Sequence, residues 1–237
     1  MSTDVLDLSH HNEVASFDAI RKAGIMGIIH KATESTDYSD PTYKERRVAA
    51  KDAGLLWGAY HFLRPGDMHA QAKHFLNVAR PGKDDLLCAD HEDTGVTLDD
   101  LHEFLAAIWT LTKRKAVIYS GHVLKEQVGE DVIPWLKDHQ LWVAQYTSEP
   151  QPDWPKQIWP RYFLWQFTDK GAAPGVSGEV DCNRAGVDDH KLKAQWAGAK
   201  DDEPEKPAIP MPGPEHVVVV TIAAPPGVHV KVNQVVA

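Results

Sequence analysis

Five times in its first 130 residues the chain alternates between a short apolar run and a stretch with helical signals. That rhythm restricts the fold more than any other feature. Val5-Leu6-Asp7-Leu8, Ile25 to Ala32, Leu55 to Phe62, Leu86 to Glu92 and Ala116 to Tyr119 read as strands. Between them, Ser16 is placed to cap a helix whose apolar stripe is Phe17, Ile20 and Ala23, and Gly24 stops it. Asp40-Pro41 opens a second helix, which Gly54 closes. Asp67 caps a third, running to about Ala79, and Thr97-Leu98-Asp99-Asp100 resembles a capping box ahead of a fourth. A short helix follows near residues 122–129. Then the rhythm changes. Leu141 to Tyr146, Tyr162 to Phe167 and Glu179 to Asn183 read as strands joined by Pro, Gly, Ser and Trp rather than by helical periodicity.

Apolar strands alternating with helices indicate parallel strands buried on both faces, and eight can close into a barrel. The expected fold is therefore α/β: an irregular TIM-like barrel over residues 1–198, five β–α units followed by three strands. Residues 199–214 are charged, then Pro-rich, and read as a linker. Residues 215–237 read as a short C-terminal β-hairpin tail. A lone hairpin is marginal in water, so self-association through residues 215–237, or packing on the barrel, is expected.

Barrels of this kind carry their sites at the C-terminal strand ends. Acids gather there: Asp7 on the first strand, Asp90 and Glu92 on the fourth, Asp181 on the eighth. Alternation puts Asp90 and Glu92 on one face with Cys88, and His91 on the other. Paired carboxylates on a rigid strand end suit glycoside hydrolysis, where one stays protonated and the other ionised. Tyr60, His61, Gln145, Tyr146 and Gln166 also lie at or near strand ends. Asp181 has an alternative role as an ion-pair partner of Arg184.

A net charge of −9 argues against a nucleic-acid partner and a polybasic membrane contact. No apolar run reaches the roughly 18–20 residues of a membrane helix, and Met1-Ser2-Thr3-Asp4 has no basic or apolar leader, so cytoplasmic storage is expected. Cys88 and Cys182 point to opposite sides of their strands, which fits two reduced thiols. The His residues show no metal-ligand spacing, so neither metal nor cofactor is expected. Five Trp lie between Trp135 and Trp165, a cluster that suits either a core or a sugar-stacking surface.

In order along the chain stand Leu6-Asp7-Leu8-Ser9-His10, Lys31-Ala32-Thr33-Glu34, Tyr38-Ser39-Asp40-Pro41, Gly58-Ala59-Tyr60-His61-Phe62 and Asp90-His91-Glu92. Leu141-Trp142-Val143-Ala144-Gln145-Tyr146, Trp165-Gln166-Phe167 and Val180-Asp181-Cys182-Asn183-Arg184 complete the set. In this order and spacing the chain resembles glycoside hydrolase family 25, the Chalaropsis-type lysozymes, over roughly residues 4–190. The resemblance implies an N-acetylmuramidase that cuts the β-1,4 bond between N-acetylmuramic acid and N-acetylglucosamine in peptidoglycan. It implies Glu92 as general acid, Asp90 as the carboxylate stabilising the intermediate or positioning the substrate's acetamido group, and Asp7 and Asp181 as the other acids of the groove. Tyr60, His61, Gln145, Tyr146 and Gln166 would contact the glycan strand. A phage or prophage endolysin, released from the cytoplasm to act on the cell wall, is the expected setting. The competing reading is a non-catalytic wall-glycan-binding barrel, which four converging acids argue against.

Overall fold

The computed structural model describes residues 3–198, so the expected linker and hairpin tail lie outside the described residues. The strands are β1 (Val5–Leu8), β2 (Gly27–Glu34), β3 (Leu56–Phe62), β4 (Leu86–Asp90), β5 (Val117–Ser120), β6 (Leu141–Ala144), β7 (Leu164–Gly171) and β8 (Val180–Ala185). The helices are α1 (Phe17–Lys22), α2 (Tyr43–Asp52), α3 (Met68–Ala79), α4 (Leu98–Thr112), α5 (His122–Val128) and α6 (Asp189–Gln195). Each of β1 to β5 is followed by a helix. No α-helix separates β6, β7 and β8, as the change of rhythm predicted.

Strands β1 to β7 pair in sequence order, all parallel, and β8 closes the barrel between β7 and β1. The eighth strand departs from the all-parallel expectation. It runs antiparallel to both neighbours, because β7 and β8 are joined by a short connection with no crossover helix. Asp181 therefore stands at the start of its strand, yet on the same rim as the ends of the others. Its Cα partner is Asp7. Register shifts in β8 flank Cys182 and bend the strand at this point.

Two apolar layers follow from the alternation of side chains. Val5, Ile29, Leu86, Cys88, Val117, Tyr119, Trp142 and Leu164 fill the barrel, and Leu192 and Trp196 plug its lower end. Gly27 permits that plug, since a Cβ there would sit 2.7 Å from the Trp196 ring. Leu6, Ile28, Ala59, Leu87, Ala89, Ile118 and Val143 point outward against Phe75, Phe104 and Ile108 of the helices. Cys182 belongs to this outer layer and Cys88 to the inner one; both are buried free thiols. The clustered Trp are core: Trp142, Trp154, Trp159 and Trp165 are all buried.

Capping follows the sequence closely, with one exception. Ser16, Asp67 and Thr97 each accept a first-turn amide, and Thr97 with Asp100 completes the capping box. Asp40 does not cap α2, which starts at Tyr43. Its carboxylate instead accepts from Thr42 N (2.9 Å), Thr42 Oγ1 (2.7 Å) and His10 N (2.8 Å), tying the loop after β1 to the start of α2.

Candidate active site

The inward positions nearest the C-terminal rim are polar around the barrel. Asp7, Lys31, Tyr60, Asp90, Tyr119, Gln166 and Asp181 come from β1, β2, β3, β4, β5, β7 and β8. A closed, sheared sheet stacks inward side chains from alternate strands in staggered layers, so residues remote in sequence meet across the lumen. Glu92 follows two residues after β4 and opens to solvent at the mouth, while Asp90 is buried beneath it.

Each of the four acids is shifted upward. Burial raises Asp90 well above the ordinary carboxylate range, the Glu92 charge adds to it, and Lys31 opposes it. Glu92 is raised by loss of water and then by the Asp7 charge. Asp7 is raised by burial, against donors from Asn183 and Gln166. Burial and the Asp7 charge push Asp181 up to about 9. Like charges this close cannot all ionise together, so the site retains protons near neutral pH.

An amide and phenol network fixes the Asp7 side. Gln166 Nε2 donates to both Asp7 oxygens (3.1 and 3.0 Å) and to Asp181 Oδ2 (3.3 Å). Gln166 Oε1 accepts from Tyr119 OH and Tyr146 OH, each at 2.9 Å. Asn183 Nδ2 donates to Asp7 Oδ2 (2.7 Å), and its own carbonyl is held by Trp142 Nε1 (2.7 Å). Asp90 Oδ1 is buried with no hydrogen-bond partner among the described residues.

The structure thus brings Asp7, Asp90, Glu92, Asp181, Tyr60, Tyr146 and Gln166 to one mouth, but not His61 or Gln145. His61 is fully buried in the helix layer, stacked on Phe104 at 5.1 Å and hydrogen-bonded to Thr33 Oγ1 (2.7 Å) and Gln71 Oε1 (3.1 Å). It follows inward Tyr60 directly, so alternation turns it outward, and the expected substrate contact is corrected. Gln145 likewise follows inward Ala144. Its carbonyl oxygen Oε1 is engaged by Lys125 Nζ (3.4 Å) and the Asp153 amide, away from the acids. His91 faces away from them as expected, bonding Gln127 Oε1 at 2.9 Å. Arg184 lies over the Trp165 and Phe167 rings, 5.7 Å from each centroid, rather than pairing with Asp181. Tyr119, Asn183 and Trp142 also belong to the site, outside the sequence candidates; period-two counting from Asp181 finds Asn183, but no acid on β5 or β6 sets the phase for Tyr119 and Trp142. Among the described residues, no group of three or more His, Cys, Asp or Glu is arranged to hold a metal. No helix among them is long and apolar enough to cross a membrane.

The raised acids have a signed consequence for stability. A carboxyl whose folded pKa exceeds its unfolded value weakens the fold as pH rises between the two, here from about 4 toward about 9 for Asp181. His30 and His61, pushed down to about 4 by burial, act oppositely, but only below their unfolded value near 6.5. Between pH 9 and 6.5 the raised carboxyls dominate, joined near the upper end by the buried thiols of Cys88 and Cys182, which act in the same direction. Melting temperature is expected to rise on acidification over that window, by roughly 3–5 °C per pH unit for each proton taken up. Asp181→Asn should flatten the slope. Thermal melts at fixed ionic strength check this, and a melting temperature that falls on acidification from pH 9 would refute it.

The family model for glycosyl hydrolases family 25 matches residues 6–176. An autolytic lysozyme of Clostridium acetobutylicum is 30% identical over 179 residues, covering 74% of this chain and 53% of the relative. Lysozyme M1 of Streptomyces globisporus is 28% identical over 199 residues, covering 76% of this chain and 66% of that one. The chain therefore spans about half the length of the first and about two thirds of the second. Among solved structures, a bacterial lysozyme from Streptomyces coelicolor superposes with a TM-score of 0.75 at 26% identity, covering 83% of this chain and 97% of that one. The match runs from β1, through Asp90 and Glu92 at and beyond the end of β4, to the loop before β8, and the fold around them is the same closed barrel. On that combined ground the chain belongs to glycosyl hydrolases family 25.

Proposed function

We propose that the barrel is a peptidoglycan N-acetylmuramidase, hydrolysing the β-1,4 bond between N-acetylmuramic acid and N-acetylglucosamine. The observation that carries this reading is the stacking of two carboxyls at one mouth: Glu92 open to solvent at the rim, Asp90 buried below it. A glycosidic oxygen entering the mouth meets Glu92 first, and partial loss of water at the rim together with the Asp7 charge helps Glu92 keep the proton it must give. Asp90, once ionised, stabilises the positive charge that develops at the sugar carbon as the bond breaks, and burial makes its ionisation the demanding one of the two. Tyr60 and half-exposed Tyr146 supply aromatic and hydroxyl contacts to the sugar. Family membership and the lysozyme names of the relatives support the same substrate. In this reading the enzyme acts on the cell wall after release from a cytoplasmic store, as an endolysin does.

The test is digestion of purified peptidoglycan, borohydride reduction of the new ends and mass spectrometry of the fragments. New muramitol ends are expected. New glucosaminitol ends would replace the muramidase reading by a glucosaminidase. No new ends, with wall binding retained, would leave a glycan-binding barrel.

A further inference from the structure

Gln166 is only 1% exposed, and every hydrogen-bonding position of its carboxamide is taken. Both phenols that meet Oε1 are strong donors held protonated by burial and neighbouring negative charge, so they fill the carbonyl. The orientation of the amide is thereby fixed, and its two N–H groups must face the acids. A sugar cannot reach this group without displacing Tyr146. The two N–H groups serve two carboxyls unequally. Asp7 receives Gln166 on both oxygens and Asn183 at 2.7 Å; Asp181 receives one longer contact, at 3.3 Å. Donors stabilise the ionised form, so the better-served member takes the charge.

We propose that Gln166 is a positioning residue rather than a sugar contact: it clamps Asp7 and Asp181 as a pair sharing one proton, with the charge on Asp7 and the proton on Asp181. Tyr119 and Tyr146 fix its orientation, and Trp142 does the same for Asn183. The pair faces Asp90 and Glu92 at the end of β4, Tyr60 from β3 and Asp169 from β7, in addition to Tyr119 and Tyr146. Lys31 is the cation of this neighbourhood, and its Nζ is held by Glu34 at 2.6 Å. These surroundings are mainly negative, so they too favour keeping one proton in the pair. The burial shifts of both acids run the same way. The consequence for chemistry rests on the muramidase reading. A single fixed charge on Asp7 raises Glu92 and helps it remain an acid, without a second charge that would compete for the proton.

The pair can be read without turnover, by ¹³Cγ-aspartate NMR titration of the full chain. Wild type is expected to show an aspartate carboxyl titrating above about pH 8 that disappears in Asp181→Asn and falls by a unit or more in Asp7→Asn. Gln166→Leu should raise the midpoint of Asp7 in the same experiment. Asp181→Asn is isosteric and keeps a donor toward Asp7, so it covers the case in which Gln166→Leu does not fold. If Asp181→Asn removes no high-pH titration, or Gln166→Leu leaves Asp7 unmoved, the clamp is wrong. On soluble glycan fragments, Gln166→Leu should lower kcat by roughly tenfold or more with KM within about threefold. A raised KM with kcat retained would make Gln166 a sugar contact and overturn the proposal. Absence of any turnover by wild type would defeat the muramidase reading alone, leaving the titration to decide the clamp.

Discussion

Glu92→Gln is expected to lower kcat/KM on peptidoglycan by about a hundredfold to ten-thousandfold, the range lost when a positioned general acid is removed. Glutamine keeps the size of the side chain and cannot give up a proton to a leaving oxygen. Glu92 opens to solvent beyond the end of β4, so the exchange leaves the barrel's packing intact. The decisive comparison is between leaving groups. A sugar hydroxyl needs protonation as it departs; an activated phenolate does not. On an aryl glycoside of the same sugar, Glu92→Gln should lose less than about tenfold in the bond-breaking step. Asp90→Asn should lose heavily on both substrates, since charge development at the sugar carbon is common to them. Equal losses for Glu92→Gln on the two substrates would remove it from the acid role.

The second large effect lies at the opposite end of the barrel. Asp85 precedes β4, is 1% exposed, and sits among cations. Arg47 Nη2 reaches its Oδ2 at 2.7 Å, Lys51 contacts the other oxygen, and the Gly82 amide donates at 2.9 Å. Arg114 donates to the Gly82 and Asp85 carbonyls. Burial alone would raise Asp85, but the cations and the Gly82 amide outweigh it and hold the carboxyl below its ordinary range. Asp85→Ala removes the anion and leaves two partly buried arginines and the exposed Lys51 ammonium facing one another. A loss of about 3–5 kcal/mol is expected, as when one partner of a buried pair is removed. For a domain of this size that is a fall of roughly 6–20 °C in melting temperature. Turnover per folded molecule should be unchanged, because the acids stand at the other rim. A melting point within about 2 °C of wild type would mean that the cluster is solvated and structurally idle.

What could be read from the sequence was whatever depends on neighbours along the chain. Strand positions followed from apolar runs, helix starts from Ser16, Asp67 and Thr97, and the inward setting of Asp7, Asp90 and Asp181 from their place at strand ends. Asp40 misled because its carboxylate is drawn back to the His10 loop, a partner 30 residues away. Strict alternation would have turned His61 and Gln145 outward; nearness to a strand end outweighed it in the reading. The direction of β8 was harder to see, since a strand sequence carries no arrow and only the short connection from β7 hints at it. The donors around Asp7 were less visible still. Asn183 and Gln166 meet it, and Tyr119 meets Gln166, only through the register of a closed sheet, and no local pattern encodes that register.

The seam where β8 joins β1 also sets a timetable. Asp7 is made before its hydrogen-bond partners, which lie 159 and 176 residues later in the chain. At roughly 5–20 residues per second, Asp7 waits on the order of ten to thirty seconds on the ribosome before Asn183 is synthesised. Until then β1 can pair only with β2, and the rim holds at most three of its four acids, without the strand that orders them. Joining the ends of so long a segment also carries a loop-closure cost that only the finished sheet offsets. A nascent chain that has not reached Asn183 thus lacks the ordered rim, and translation itself delays assembly of the acidic mouth until the last strand is in place.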